Sequence, residues 1–345
     1  MHEKKIIYII FLFFSCVLCI SLFQKKENRH MSNYPFDLVL PKADVPIEDN
    51  SWLAKRPFMD KDHSLKEDAR YFVAGEKLAD AINTAIAVGK PLLMTGEPGT
   101  GKTQAAYHTA WRLGVECIHF QVKSESSARD LLYDFDMVRY FRDAHLKKTE
   151  VREGEPDEEL QKTAYLDMRP LWQAFELAKE KGVPQVLLID EIDKAPRDFP
   201  NDLLHELDQM EFTITETRQK VSAPRQLRPI VFITSNSERR LPEPFLRRCV
   251  YHHIVFDDQI VKYAVETRRH EFSTLSDDFL ELAMKRFLAL RDQNLRKPPA
   301  TSEYLVWLQV LSLATDKHLQ QLEEDLSKLP YLSILLKDHQ DIEEL

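Results

Sequence analysis

The stretch TGEPGTGKTQ, residues 95–104, constrains the fold of this chain more than any other. It holds three of the eight glycines in the 345-residue sequence. Glycine adopts backbone conformations that are closed to residues with a Cβ, so three of them this close together indicate a tight, specialised loop. A short apolar run, PLLMT, precedes the loop, and a segment with helical character, TQAAYHTAWRL, follows it. Strand, glycine-rich loop and helix in this order predict a phosphate-binding loop.

The residue types in the loop specify what each position does. Successive backbone N–H groups are expected to surround a polyphosphate, with the positive end of the following helix directed at the same phosphates. Lys102 is predicted to bind the β- and γ-phosphate oxygens, and the Thr103 hydroxyl to ligate Mg²⁺. Without its flanking strand and helix, the same pattern would also fit a surface turn. The predicted nucleotide-binding residues are Gly96, Glu97, Pro98, Gly99, Thr100, Gly101, Lys102, Thr103 and Gln104.

A second motif, VLLIDE (186–191), ends a predicted apolar strand on two acidic residues. Adjacent carboxylates at the end of a buried strand are costly unless they face a cation. Asp190 is therefore predicted to hold Mg²⁺ through water. Glu191 is predicted to be the general base that activates the attacking water. The alternative is an ordinary acidic strand end.

Two further sets of polar residues follow the next predicted strand. Asn236 ends the run IVFITSN, where a neutral amide can hold the attacking water or a γ-phosphate oxygen. Asn is also a common turn former, so both interpretations of Asn236 stay open. Arg247 and Arg248 suit a transition-state cation, and the alternative is a pair of solvated surface arginines.

Predicted strands and helices alternate from about Tyr71 to Phe256, and only helical patterns follow. This order predicts an α/β fold in which a parallel sheet is flanked by helices and is followed by an all-helical domain. The segment 126–146 is predicted to be helical, and EFTITETRQ (211–219) to be a small hairpin. The predicted divisions are an apolar N-terminal segment at 1–30, an extended arm at 31–70, a nucleotide-binding domain at 71–256 and a helical domain at 257–345.

Residues 6–23, IIYIIFLFFSCVLCISLF, are uncharged and have about the minimum length for a membrane span. Three interpretations stay open: a membrane anchor, a secretory signal that lacks a clear cleavage site, and a native start at Met31. We expect a cytoplasmic protein, tethered to a membrane if residues 6–23 act as an anchor.

The net charge of −9 and pI of about 5.8 argue against nonspecific nucleic-acid binding, which needs a basic surface. Of the four cysteines, Cys16 and Cys19 lie in the apolar segment 6–23, whereas Cys117 and Cys249 are far apart in the sequence and show no Cys/His ligand spacing. The sequence therefore favours a reducing compartment without a metal or disulfide framework.

Four motifs together resemble the AAA+ ATPases, within them the MoxR-like branch and the dynein-related type. The lid sequences RKPPATSEYLVWL and LPYLSILLKDHQDIEEL are similar to those of a MoxR-related group that is often paired with a von Willebrand factor A domain protein. The resemblance extends from about Tyr71 to the end of the chain. The four motifs are GEPGTGKT (96–103), LLIDEIDKA (187–195), ITSN (233–236) and LPEPFLRRC (241–249).

This resemblance implies a P-loop AAA+ core with a C-terminal helical lid, and an enzyme that converts ATP and water to ADP and phosphate. It implies that Asn236 is the sensor 1 residue. It also implies that Arg248, with Arg247 as the alternate, is an arginine finger that completes a neighbouring subunit's site. The expected active form is thus a homo-oligomeric ring, usually a hexamer, and the hairpin 211–219 would face a protein partner or a central pore.

The sequence departs from this family at one position. Related lids carry an arginine, sensor 2, at the start of a lid helix, whereas the corresponding residue here is Glu303. A carboxylate cannot contact the γ-phosphate as a cation would, and Lys297 is the other candidate. How the lid responds to nucleotide is therefore left open by the sequence.

The motifs favour an ATP-hydrolysing chaperone or remodeller that acts on a protein client. A guanine-reading Asn-Lys-x-Asp motif and an ABC-type signature are both missing from the sequence. One alternative is a nucleic-acid-linked motor or loader, which the acidic balance disfavours. The other is a nucleotide-gated scaffold with little turnover, which Glu191 disfavours.

Overall fold

The central sheet has five strands, all parallel, in the spatial order Cys117–Gln121, Val186–Asp190, Ile230–Ser235, Leu92–Gly96 and Val250–Ile254. The computed structural model describes residues 65–150, 161–313 and 321–345, apart from the side chains of 147–150. The sheet confirms the predicted parallel α/β core. Its strands are β1 (Leu92–Gly96), β2 (Cys117–Gln121), β5 (Val186–Asp190), β8 (Ile230–Ser235) and β9 (Val250–Ile254).

The inner strands are apolar runs. Their side chains are buried on both faces of the sheet, because helices cover both faces. Every residue of β1 and β5 is buried, as near-continuous apolar runs predict for parallel strands. Strand β8 lies between β1 and β5, so the two motif-bearing strands are not neighbours. The helices of this part are α1 (Leu65–Asp68), α2 (Glu76–Val88), α3 (Lys102–Leu113), α4 (Arg129–Leu132), α5 (Met137–Glu150), α6 (Pro170–Lys181), α7 (Phe199–Asp202), α8 (Leu204–Gln209) and α9 (Glu243–Leu246).

Two helices end at a glycine in the left-handed conformation. Gly89 after α2 has φ 65°, and Gly182 after α6 has φ 70°. A left-handed residue closes a helix by letting its N–H bond to the last carbonyls, and glycine adopts this conformation without a steric penalty.

The prediction of continuous helix over 126–146 is wrong in its middle. The segment contains strand β3 (Tyr133–Phe135), which pairs antiparallel with β4 (Leu166–Met168). Tyr133 and Phe135 are buried while Asp134 between them is exposed, so this triplet has the period of a strand. The distant partner strand at 166–168 was not visible in the local pattern.

The predicted hairpin at 211–219 is present and extends to residue 222. Strand β6 (Glu211–Thr213) pairs antiparallel with β7 (Lys220–Ser222). Phe212 and Val221 face the core, and the Tyr133 ring stacks on Phe212 at a centroid distance of 6.0 Å. The base of the hairpin is thus built into the core, next to β3.

The described residues after β9 contain no strand, in agreement with the predicted helical character. They bury an apolar cluster of their own, in which Phe272, Phe287, Tyr304 and Trp307 are the largest fully buried side chains. The predicted boundary at residue 257 stays a prediction, and the described residues on both sides of it, within 65–312 and 321–345, belong to one compact unit. The helices are α10 (Asp258–Thr267), α11 (Asp277–Arg291), α12 (Thr301–Leu311), α13 (Leu332–Leu335) and α14 (His339–Glu343).

The expectation of a membrane tether requires correction. Within 65–150, 161–313 and 321–345, none of the helices has both the length and the apolar character needed to cross a bilayer. The segment at 6–23 on which the expectation rested lies outside the described residues, as do residues 1–30 and most of the predicted arm. The end of that arm, 65–70, forms α1 and the start of a 3₁₀ turn.

Candidate functional site

The phosphate loop leaves the carboxyl end of β1 and leads directly into α3. Gly96, Gly99 and Gly101 have φ values of 150°, 77° and 88°. A side chain would be strained at each of these values, which explains why three glycines are concentrated here.

The space around two of these glycines is also closed to a side chain. A Cβ on Gly96 would lie 2.6 Å from the carbonyl oxygen of Ile254 on β9. A Cβ on Gly101 would lie 2.7 Å from Cε2 of Phe72. The loop is therefore shaped by its neighbours as well as by its own backbone.

Lys102, the first residue of α3, folds back over the loop. Its Nζ donates to the carbonyl oxygens of Gly96 and Glu97, both at 2.9 Å. Burial lowers the pKa of Lys102 below its ordinary value, although nearby carboxylates, Asp190 first among them, act in the opposite direction. A buried ammonium held by two carbonyls is available for an incoming phosphate.

Thr103 and Asp190 meet across the top of the sheet, as the two motifs predict. The Thr103 hydroxyl lies 3.0 Å from Asp190 Oδ1 and 3.2 Å from Oδ2. Asp190 is only 5% exposed. A hydroxyl and a carboxylate so placed form an oxygen-only donor pair, the kind that Mg²⁺ prefers.

Thr234 on β8 connects the two acidic residues. Its hydroxyl donates to Asp190 Oδ1 at 2.5 Å, and its oxygen accepts from the backbone N–H of Glu191 at 2.8 Å. The ITSN motif contains Thr234, but the sequence analysis assigned a role only to Asn236, because a threonine inside an apolar strand shows no chemistry of its own.

His119 on β2 approaches Asp190 from the opposite side. Its Nε2 lies 3.3 Å from Asp190 Oδ2, and its Nδ1 lies 3.1 Å from the Tyr107 hydroxyl. Burial acts to raise the pKa of Asp190, but contacts with His119, Thr234 and Thr103 outweigh it and hold the pKa below its ordinary value. His119 was also missed, since neither its neighbours nor its spacing mark it.

Glu191 directly follows β5 and has an unusual backbone conformation. It has φ 59° and ψ 51°, in the left-handed region where a non-glycine residue is uncommon. Its Oε2 accepts from Gln121 Nε2 at 2.6 Å and from Lys194 Nζ at 2.5 Å. Asn236 Nδ2 lies 3.3 Å from Oε1. The structure thus brings Asn236 to the predicted general base, and adds Gln121 and Lys194, which sequence reasoning missed.

The two predicted arginines lie beyond α9. Arg248 donates from Nε to Asp208 Oδ2 at 2.5 Å and from Nη1 to the carbonyl of Pro244 at 2.9 Å. Arg247 is exposed. The Arg248 side chain is 42% exposed, so both arginines lie at the surface.

Of the remaining loop residues, some make side-chain contacts within the loop and others contact neighbouring parts of the chain. The Thr100 hydroxyl donates to the Glu97 carbonyl at 2.8 Å and closes the turn, within which Pro98 is exposed. Gln104 instead donates to the carbonyl of Leu65 at 2.9 Å, so its side chain holds α1 against α3. Glu97 extends towards the helical region and meets Arg291.

The start of α12 lies against the loop. A Cβ on Gly99 would collide with the Ser302 hydroxyl and would come within 3.0 Å of Glu303 Oε2. Glu303 accepts from the backbone N–H of Ala300 at 3.1 Å, so it caps its own helix. Lys297 lies beside Asp338, 3.8 Å away and also in the helical region.

A cavity of about 990 Å³ opens beside the loop. Its volume is at the upper end of the range for small-molecule sites. Its walls come from the segment before α2, from the connection after β9 and from α10–α12. Lining residues include Phe72, Thr100, Ile254, Phe256, Tyr263 and Thr301.

One known family matches the part of the chain that carries the motifs. Residues 91–249 match the family model of the AAA domain, dynein-related subfamily. The match contains the phosphate loop, both acidic residues, Asn236 and the arginine pair, and it confirms the resemblance to AAA+ ATPases inferred from the motifs. No curated protein sequence matches the chain.

Two solved structures are similar in part. A candidate ATPase from Cytophaga hutchinsonii is 14% identical, with 81% of this chain and 82% of that chain covered and a TM-score of 0.37. NtrX from Brucella abortus, solved with ADP, is 12% identical, with 81% of this chain covered and a TM-score of 0.44. The match spans 62% of the NtrX chain. At these identities and TM-scores, neither likeness bears on what this chain binds.

Proposed function

We propose that this chain binds ATP together with Mg²⁺ and hydrolyses it to ADP and phosphate. The observation that carries the proposal is the contact of Thr103 with Asp190, at 3.0 and 3.2 Å. These residues belong to motifs that lie 87 positions apart, and the fold brings them to one point beside Lys102.

The loop and the cavity fit a nucleoside triphosphate. The three loop glycines have positive φ and carry no Cβ, so the loop can turn its backbone N–H groups towards phosphate oxygens at close range. The cavity next to Thr100 has the volume and the largely apolar walls that a nucleoside needs.

The oxygen donors of Thr103 and Asp190 fit Mg²⁺, which commonly uses one or two protein ligands and fills its other positions with water and phosphate. When bound, the metal neutralises charge on the β- and γ-phosphates. The contacts of Thr234 and His119 keep Asp190 ionised and oriented for this role.

The chemistry at the γ-phosphate follows from Glu191. A water placed between Glu191 and the γ-phosphorus gives a proton to the carboxylate as its oxygen bonds to phosphorus. The bond from phosphorus to the β,γ-bridging oxygen breaks, and ADP leaves. Lys102 stabilises charge on the phosphate oxygens, and Asn236 and Gln121 hold the carboxylate and the water in line.

The test is phosphate release by the purified protein with ATP and Mg²⁺, compared with the same reaction in excess chelator. We expect turnover that depends on the metal, and tight binding of a fluorescent ATP analogue. A protein that binds no ATP, or that hydrolyses it equally well without divalent metal, would overturn the proposal.

We further propose that the active form is a homo-oligomeric ring, usually hexameric in this family, in which Arg248 enters the neighbouring site. Arg247 is the alternate. The surface position of both arginines supports this assignment. Sedimentation of Glu191→Gln with and without ATP tests it, since a ring should form or tighten in the ATP state, whereas a monomer in both states would refute it.

The client is proposed to be a protein, in the manner of a MoxR-like chaperone, with a von Willebrand factor A domain protein as the first candidate. The hairpin β6–β7 and the β3–β4 pair support this function as a joined surface element. Arg129 Nη2 donates to Glu216 Oε1 at 2.6 Å, and the Tyr133 hydroxyl accepts from Thr215 N at 3.0 Å, so the hairpin tip is held against α4 and β3. Capture of partners on Glu191→Gln in ATP, against the same protein in ADP, tests this; equal capture in both would contradict it.

A further inference from the structure

A cation reaches the phosphate loop from the helical region, and it is not at the position that the family resemblance indicated. Arg291, the last residue of α11, donates from Nη2 to Glu97 Oε2 at 2.7 Å. Its Nη1 donates to the carbonyl of Pro299 at 2.5 Å, and its guanidinium carbon lies 3.7 Å from the centre of the Phe256 ring. One side chain thus joins the phosphate loop, the turn before α12 and the connection after β9.

The surroundings of Arg291 differ from those of an ordinary surface arginine. Its side chain is only 12% exposed, whereas that of Glu97 is 48% exposed. The ring of Phe256 covers the guanidinium face, and the in-plane N–H groups are left for hydrogen bonds. A half-exposed ion pair is weak when both side chains move freely. Here the Phe256 ring and the Pro299 carbonyl already orient the guanidinium of Arg291, so less freedom is lost when it pairs with Glu97.

The location of Arg291 connects this contact to nucleotide binding. Leu288 and Asp292 lie next to Arg291 at the end of α11, and both line the cavity beside the phosphate loop, as does Phe256. Glu97 belongs to the loop itself, where its carbonyl accepts from Lys102. A bond between Arg291 and Glu97 therefore fixes the distance between the loop and the cavity wall formed by α11.

We propose that Arg291 is a positioning residue for ATP, which holds the helical region against the phosphate loop through Glu97 and so shapes the nucleoside cavity. This inference rests on the proposed function. Arg291 has no contact with Thr103, Asp190 or Glu191 among its hydrogen bonds and ring contacts in the described part of the chain. Its loss should therefore weaken ATP binding and leave the chemical step nearly intact.

The test compares Arg291→Gln with a matched control in the same helix. Arg286 donates from Nε to the carbonyl of Leu322 at 2.7 Å, within the helical region. We expect Arg291→Gln to raise both the KM for ATP and the Kd of a fluorescent ATP analogue by about tenfold, with kcat within about twofold. Arg286→Gln should leave the KM unchanged. Arg291→Lys should recover part of the affinity, since lysine keeps the charge but loses the planar fork.

The pair can also be broken from the loop side without altering the helical region. Glu97→Gln should raise the KM as Arg291→Gln does, and the double variant should be no worse than Arg291→Gln alone. An unchanged KM in both single variants, additive effects in the double variant, or an equal rise in Arg286→Gln would each overturn the inference. A wild-type protein that binds no ATP would refute the proposed function and this inference together, whereas normal wild-type turnover beside an unaffected Arg291→Gln refutes only the latter.

Discussion

Thr234 and Asp190 share a short hydrogen bond of 2.5 Å between β8 and β5, and the same threonine oxygen accepts the backbone N–H of Glu191. A single buried hydroxyl thus contacts both the proposed metal ligand and the backbone of the proposed general base. Thr234 therefore couples the geometry of Asp190 to that of Glu191.

Thr234→Val keeps the shape of the side chain and removes both hydrogen bonds. The buried N–H of Glu191 would lose its partner, and the free energy of unfolding should fall by about 1–3 kcal/mol. Urea unfolding measures the loss, and phosphate release should fall with it. Thr234→Ser is the control because it retains the hydroxyl, and a Thr234→Val protein as stable and active as wild type would contradict this role.

Glu191→Gln should separate binding from hydrolysis. The amide keeps the size of the side chain but cannot take a proton from water, so turnover should fall by roughly 10²- to 10⁴-fold. Binding of a fluorescent ATP analogue should stay near wild type. Undiminished phosphate release would show that another residue is the base.

Lys102→Met should abolish ATP binding, and it should also change how stability depends on pH. The pKa of Lys102 is lowered in the folded protein, mainly by burial. Between that lowered pKa and the ordinary value near 10.5, the unfolded chain binds more protons, so the lysine's destabilising effect fades as the pH rises through this range.

The difference in unfolding free energy between Lys102→Met and the wild type should therefore shift in favour of the wild type as the pH rises from 7 to 10. Urea titrations of both proteins without nucleotide measure it. A difference that is constant or moves the other way would mean that Lys102 is not buried as a charged group.

Arg248→Ala should preserve ATP binding and reduce turnover strongly, by roughly 10³-fold or more if the residue acts as an arginine finger. Mixing it with Lys102→Met subunits, which retain Arg248, should restore activity at shared interfaces. Arg247→Ala is the comparison. If mixing restores nothing and Arg247→Ala is the inactive variant, the assignment moves to Arg247.

The local sequence was sufficient to predict the conformation of the elements that carry motifs. The glycines at 96, 99 and 101 and the apolar runs of β1 and β5 act through their own backbones and neighbours in sequence, so their conformations could be predicted. The helix predicted across 133–135 was wrong because its strand partner at 166–168 is distant, and local patterns do not report such pairings.

By itself, the sequence determined the parallel α/β class, the phosphate loop and the identity of the acidic pair, because each depends on residue types at short spacing. Only the tertiary structure decided which residues surround them. Thr234, His119 and Gln121 reach the acidic pair because β8 and β2 flank β5 in the sheet. Arg291 reaches Glu97 because α11 ends beside the loop, a contact between residues far apart in the chain that no short pattern encodes.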